Sequence, residues 1–207
     1  MNKKMAAGVV GAAVLTGAVY LKVTYQVARV IDGDTFETVE RQKIRLSGAA
    51  APELTYCGGP EAKAVLEKMI LGKRVFIKVV FNDFYKRLVS NVYAGNVYVN
   101  QKMMEQGWTY LSSASGPEAK KLAEATKIAR EKKLGIFGTS CTQTVNLKNA
   151  KCDIKGNQTS NGLGKFYHYP GCGHYEETDV QLYRGEQWFC TKSEAEKAGF
   201  KKADLCP

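Results

Sequence analysis

Several positions in the first half of the chain carry side chains suited to work on a phosphate. Asp32 and Asp34 flank Gly33 in a short polar turn; Arg45 stands eight residues before Glu53 in a Pro52-Glu53 pair; and Arg87 closes the run Asp83-Phe84-Tyr85-Lys86-Arg87. Guanidinium forks grip phosphate oxygens in pairs and stabilise charge added at phosphorus. Neighbouring carboxylates hold a hard divalent cation through oxygen, and a further glutamate can take a proton from an attacking water. Together these types are what hydrolysis of a phosphodiester needs. Taken singly, each has a plainer reading: an Asp-Gly-Asp run is most often only a turn, and a lone arginine at a strand end is usually solvated or ion-paired.

The elements that must position these residues follow from hydrophobic spacing. Residues 25–31 alternate as a strand and run into the Asp32-Gly33-Asp34-Thr35 turn, where Asp-Gly favours a hairpin. Stretches 36–39 and 42–46 continue the meander. Residues 60–71 form a helix with Ala62, Val65, Leu66, Met69 and Ile70 on one face and Gly72 as its stop. Strands are expected at 74–81 and 88–93, with Gly95-Asn96 turning into a third, short one. A short helix over 99–106 closes at Gly107, and a longer one runs to about residue 133 behind Pro117. Five short strands with three helices packed on a curled sheet read as an α+β domain built on a five-stranded OB-type β-barrel.

Composition sets the outer bounds. The chain has 207 residues, 44% apolar and 24% charged, which excludes a disordered or collagen-like polymer. Its formal charge of +10 points to a polyanionic partner. That excess is uneven: residues 24–140 carry 18 basic against 12 acidic side chains, whereas 141–207 carry 9 against 8. Residues 1–23 hold Lys3, Lys4 and Lys22 with no acid, and an uncharged run of 17 residues spans 5–21. A basic start before an apolar stretch predicts a signal peptide or membrane anchor, with the remainder outside the cytoplasm. In that oxidising setting Cys57, Cys141, Cys152, Cys172, Cys190 and Cys206 are disulfide candidates. Six cysteines allow about fifteen pairings, among which sequence does not choose.

The ordered motifs carry a resemblance. Val30-Ile31-Asp32-Gly33-Asp34-Thr35, Ile44-Arg45-Leu46 before Pro52-Glu53, Tyr85-Lys86-Arg87, Gly59-Pro60-Glu61-Ala62 and Leu134-Gly135-Ile136-Phe137 are similar to the staphylococcal nuclease (thermonuclease) family over residues 24–137. The resemblance implies a five-stranded OB barrel with three helices that cleaves DNA and RNA with calcium and leaves 3′-phosphates. It makes Asp34 a calcium ligand, Glu53 the general base or a water-positioning group, and Arg45 and Arg87 phosphate clamps. It sets Tyr85, Lys86 and Tyr110 along the nucleic acid, with Asp32 and Thr35 supporting the turn. One departure matters: the family expects an aspartate two residues before the Pro-Glu pair, where this chain has Ala50. Alanine offers no ligand oxygen, so a weakened calcium site is expected. The tyrosines expected after the helix ending at Gly107 are also altered, with Tyr110 nearby and Ser112 and Ser113 behind it. A nucleic-acid binder that does not cut is therefore the alternative, and a protein-binding module is a third, weaker one.

Residues 141–150, rich in Thr, Asn and Gln, read as a linker, and 151–207 as a small disulfide-stapled module. The module loosely resembles the zinc-binding domain of the Ada DNA-repair protein. No zinc is expected, since no Cys-x-x-Cys pair is present and His174 beside Cys172 is a poor start for a site. Tyr167 and Trp188 are expected in its core, and Ser193 with Glu196 as the capping box of a terminal helix. The expected partners are DNA and RNA, with a membrane contact through 1–23, no small-molecule cofactor, and a monomeric chain.

Overall fold

The computed structural model describes residues 24–113, 116–159, 162 and 164–207. The predicted leader, 1–23, lies outside them. Among the described residues no helix is long and apolar enough to cross a membrane.

In chain order the first part contains β1 (Thr24–Val30), β2 (Thr35–Thr38), β3 (Lys43–Leu46), β4 (Ala49–Ala50), α1 (Gly59–Ile70), β5 (Arg74–Asn82), β6 (Leu88–Ala94), β7 (Val97–Tyr98), α2 (Val99–Glu105), β8 (Tyr110–Leu111) and α3 (Ala119–Glu131). Strands β3, β2, β1, β5 and β6 pair in that order, and a parallel β3–β6 pairing closes the ring. The result is the five-stranded barrel expected, with its three helices. Closure removes the open sheet edges. Val27, Phe36, Ile44, Leu46, Val75 and Val92 fill the interior, with Leu66 and Ile70 of α1, Met103 of α2 and Leu122 of α3 packed against them.

Asn100 locks α2 to this barrel. Its fully buried amide donates to the carbonyls of Ser47 and Ser90, and its oxygen accepts from the Val92 N–H. A buried amide is tolerated because these partners satisfy it.

The remainder contains β9 (Thr142–Gln143), β10 (Ile154–Gln158), β11 (Lys165–His168), β12 (Val180–Gln181), β13 (Gln187–Phe189), α4 (Lys192–Lys197) and β14 (Lys201–Lys202). Strands β13, β10, β11 and β14 form one sheet over Ile154, Tyr167, Phe189, Ala195 and Phe200. Gly156 is required beneath the aromatic pair, since a Cβ there would lie 2.5 Å from the Phe189 ring. Disulfides Cys152–Cys190 and Cys172–Cys206 staple this part, and Cys57–Cys141 ties α1's approach loop to the chain leaving the barrel.

Three local readings change. Trp188 is half-buried, and its indole N–H donates to Gln143 across the junction instead of filling the core. The cap of α4 is Thr191, two residues earlier than expected: its side chain accepts from the Glu194 N–H, while Glu194 accepts from the Cys190 N–H. Thr191 satisfies one first-turn donor and Glu194 reaches back to the residue before the cap, so Ser193 lies inside the helix. Finally, the 141–150 stretch opens with a strand, since β9 pairs with β12.

Candidate functional site

The turn between β1 and β2 is shaped by packing as much as by turn chemistry. A Cβ on Gly33 would lie 2.6 Å from both the Ala51 and Ala62 side chains, so only glycine lets the turn sit against α1 and the β4 exit. The Asp32 carboxylate accepts the Asp34 N–H at 3.0 Å and holds the turn's geometry. Asp34 is thereby driven inward to 3% exposure. Its Oδ1 accepts from the Thr35 hydroxyl and from Arg45 Nη1, both at 2.7 Å, and its Oδ2 accepts from the Ala51 N–H at 2.9 Å. The register sets Thr35 opposite Arg45 on β2 and β3, so both donors reach the same oxygen. Burial pushes the Asp34 carboxyl up to about 6, against the pull of Arg45 and its hydrogen bonds.

The second arginine has its own carboxylate. In the turn between β5 and β6, Asp83 Oδ1 accepts from the N–H groups of Tyr85 and Arg87, and Oδ2 accepts from Arg87 Nε at 2.7 Å. Lys86 completes the turn with a left-handed φ of 60°. The Arg87 guanidinium lies 5.2 Å from the centre of the Tyr85 ring, and Tyr85 and Phe84 are 73% and 95% exposed. Because β3 runs parallel to β6 with Arg45 opposite Val89, Arg87 stands two residues along from Arg45's neighbour. Asp83 was not singled out from sequence; its signal is the Asp followed four residues later by Arg across a tight turn.

Glu53 is exposed on the loop between β4 and α1. That loop is held at several points. The Tyr56 N–H donates to the Glu53 carbonyl, a Cβ on Gly59 would lie 2.0 Å from that same oxygen, and Cys57 is bonded to Cys141. Tyr110 reaches the same area because β4 pairs with β8, Ala50 opposite Tyr110. Burial raises the Tyr110 hydroxyl above its ordinary range; Arg184 and Arg45 pull it down, and Asp34 and Glu53 push it up. Tyr110 thus has within electrostatic reach the Asp34–Arg45 pair, Glu53 and a cation from the second part of the chain.

A cavity of about 330 Å³ opens beside Glu53, walled by Ala51, Pro52, Tyr56 and Tyr110 on the barrel side and by Gln158, Lys165, Tyr183 and Arg184 on the other. Larger hollows exist elsewhere, such as one of about 550 Å³ along Val65, Met69 and Ala94, but that one has no carboxylate in its wall. The second wall of the Glu53 cavity was not foreseen. Its residues lie more than a hundred positions from Glu53, and no local spacing links them.

The calcium expectation meets a sparse donor set. Calcium takes roughly six to eight oxygens, often from several carboxylates. Asp34 is one carboxylate whose oxygens already accept three hydrogen bonds, and Ala50 contributes a methyl group at 7% exposure. Among the described residues no three His, Cys, Asp or Glu side chains gather as metal ligands. These residues do not fit a carboxylate-rich calcium cage. In the second part, all four cysteines are bonded in pairs, so their sulfurs are committed to one another.

Comparison with known proteins gives a consistent result. The family model described as staphylococcal nuclease homologue matches residues 43–139. An uncharacterized endonuclease of Escherichia coli is 32% identical over 118 residues, covering 54% of this chain and 75% of the relative. The probable staphylococcal-like nuclease CAN1 of Oryza sativa subsp. japonica is 35% identical over 106 residues, covering 50% of this chain and 31% of the relative. The staphylococcal-like nuclease CAN1 of Arabidopsis thaliana is 34% identical over 100 residues, with 47% and 30% covered. The chain spans about a third of the length of the plant relatives it matches.

Proposed function

The chain belongs to the staphylococcal nuclease family, and from that premise we propose that it is an endonuclease hydrolysing phosphodiester bonds of DNA and RNA. One observation carries this reading: two arginines, Arg45 on β3 and Arg87 in the turn that enters β6, are each oriented by a carboxylate, Arg45 by Asp34 and Arg87 by Asp83, with Glu53 exposed on the loop after β4. Held guanidiniums lose little freedom when they take up phosphate oxygens, and electrostatic preorganisation of this kind is a large catalytic term. A pure binding module would not need Glu53 on this loop.

In the proposed reaction Glu53 takes a proton from water as its oxygen attacks phosphorus. Arg45 and Arg87 spread the added negative charge of the five-coordinate state. The bond from phosphorus to the 5′ oxygen breaks, solvent protonates that oxygen, and the 3′ side keeps the phosphate. Tyr85, Lys86 and Tyr110 flank the strand. Asp34 acts through Arg45, which it positions. No step is routed through calcium, because a single hydrogen-bonded carboxylate is a weak claim on that ion.

The three disulfides and the basic, apolar start of the sequence support an extracytoplasmic setting, with residues 1–23 as leader or anchor. The second reading, a binder with weakened catalysis, is favoured by Ala50 alone. The test is to incubate the oxidised full chain with single-stranded DNA, duplex DNA and RNA, with calcium or with a chelator, and to identify the product ends. Cleavage leaving 3′-phosphates, and its loss in Glu53→Gln, is expected. Gel retardation without cleavage in either condition gives the binder reading the case.

A further inference from the structure

The family match ends at residue 139, yet the cavity beside Glu53 takes its far wall from residues well beyond that point. Several contacts hold this wall in place. A Cβ on Gly185 would lie 2.6 Å from the Tyr56 ring, so Tyr56 rests directly on the backbone that follows Arg184. The Leu182 N–H donates to the Cys141 carbonyl, and Cys141 is bonded to Cys57, four residues from Glu53. The Tyr183 ring packs 5.6 Å from Tyr110 and 5.8 Å from Phe137. Arg184 is aimed by its own neighbours: its Nη2 donates to the Thr159 carbonyl at 3.0 Å, and the Gln158 amide donates to its carbonyl at 3.1 Å. Lys165 stands exposed at the rim, 5.5 Å from the centre of the Phe200 ring.

The chemistry of the cavity is specific. Its lining joins two cations, Lys165 and Arg184, to one carboxylate, Glu53, with Tyr56 and Tyr110 on the barrel side and the buried Tyr183 on the other. Cations grip backbone phosphate, and aromatic rings offer faces on which bases stack. The volume lies in the range of small-ligand sites, roughly 300–1,000 Å³.

We propose that the C-terminal part completes the cleft with a nucleotide subsite next to the scissile phosphate, in which Arg184 and Lys165 hold the neighbouring phosphate of a single strand and Tyr56 lies against its base. This rests on the endonuclease reading and adds to it a binding determinant supplied from outside the family domain. The chain would then favour single strands long enough to fill both the barrel site and the subsite.

The test compares Lys165→Glu, Arg184→Gln and Arg184→Lys with the unaltered full chain. Each is assayed on bis(p-nitrophenyl) phosphate, which is too small to span both positions, and on a single-stranded 12-mer. The expected result is a KM for the 12-mer raised about tenfold or more in the first two variants, with kcat changed far less. The ratio of 12-mer to small-substrate kcat/KM should fall by the same factor, and Arg184→Lys should recover part of it. Because Lys165 is exposed, its variant keeps the test valid if Arg184→Gln does not fold. Equal losses on both substrates, or an unchanged 12-mer KM in Lys165→Glu, overturn the subsite. If the unaltered chain cuts nothing, the endonuclease reading falls and anisotropy with a labelled 12-mer judges the subsite instead. Affinity lost in Lys165→Glu, with a salt slope shallower by about 0.7, supports it, and unchanged affinity rejects it.

Discussion

At Asp34 two forces oppose each other, and their balance should be visible in pH dependence. Burial raises its carboxyl from an ordinary 3.8 to about 6, while Arg45 at 2.7 Å favours the charged form. A carboxyl raised in this way binds its proton more tightly when folded, so its stabilising contribution is complete below about pH 4 and is lost as pH rises through about 6. Urea titrations from pH 4 to 7 should show that decline in the unaltered chain and a flatter profile in Asp34→Asn; identical profiles would remove the assigned role of burial. Activity should run the other way, falling as pH drops through about 6, because a neutral Asp34 no longer anchors Arg45. For Glu53→Gln we expect kcat lower by about 10²–10⁴, the usual range for a lost general base, with oligonucleotide affinity kept. Ala50→Asp would add a carboxylate near Asp34, and calcorimetric calcium affinity should rise at least tenfold; no rise would show that position 50 does not face an ion site.

At the scale of elements, the barrel and its helices were legible because each strand and helix carries its own period. Of the α1 face read from sequence, Ala62, Leu66 and Ile70 are buried, and Val65 and Met69 are partly buried against the same core. Gly33 was legible as a turn residue but not for the contact it serves, since Ala51 and Ala62 approach it only after folding. The same holds for Thr191, which outcompetes Ser193 as the cap because the strand β13 and Cys190 deliver the chain there. The Cys57–Cys141 disulfide closes a separation of 84 residues. Chain-entropy reasoning gives such a loop about 4–5 kcal/mol. A Cys57→Ser, Cys141→Ser double variant should therefore lose several kcal/mol in denaturant titration and also lose activity through the freed Glu53 loop. Full activity in a folded double variant would mean that the loop is held by other contacts.

Over the whole molecule, the charge of +10 was a guide to partner class and not to chemistry. Four cations now have places near the proposed strand: Arg45, Arg87, Lys165 and Arg184. As assigned, these cations neutralise two phosphates of a single strand, which predicts a slope of log affinity against log salt of about −1.4. Anisotropy from about 50 to 200 mM salt checks this, and a flat response would take nucleic acid off the list of partners. The near-neutral balance of residues 141–207 hid the role proposed for them, because a net charge averages over a surface while a cleft uses only the residues at its mouth.

From the sequence alone the barrel and its helices were legible through short-range period, and Asp34, Arg45, Glu53 and Arg87 stood out as candidates through residue type and motifs within one domain. The resemblance added the expectation of a carboxylate at position 50, where the chain has Ala50. Tertiary structure decided the rest: that Asp34 is committed to Arg45, that Asp83 orients Arg87, which cysteines join, and that Arg184 and Lys165 stand across from Glu53. Apart from the Asp83–Arg87 pair, which lies within one turn and takes its shape from it, those are contacts between segments that only chain closure and packing bring together.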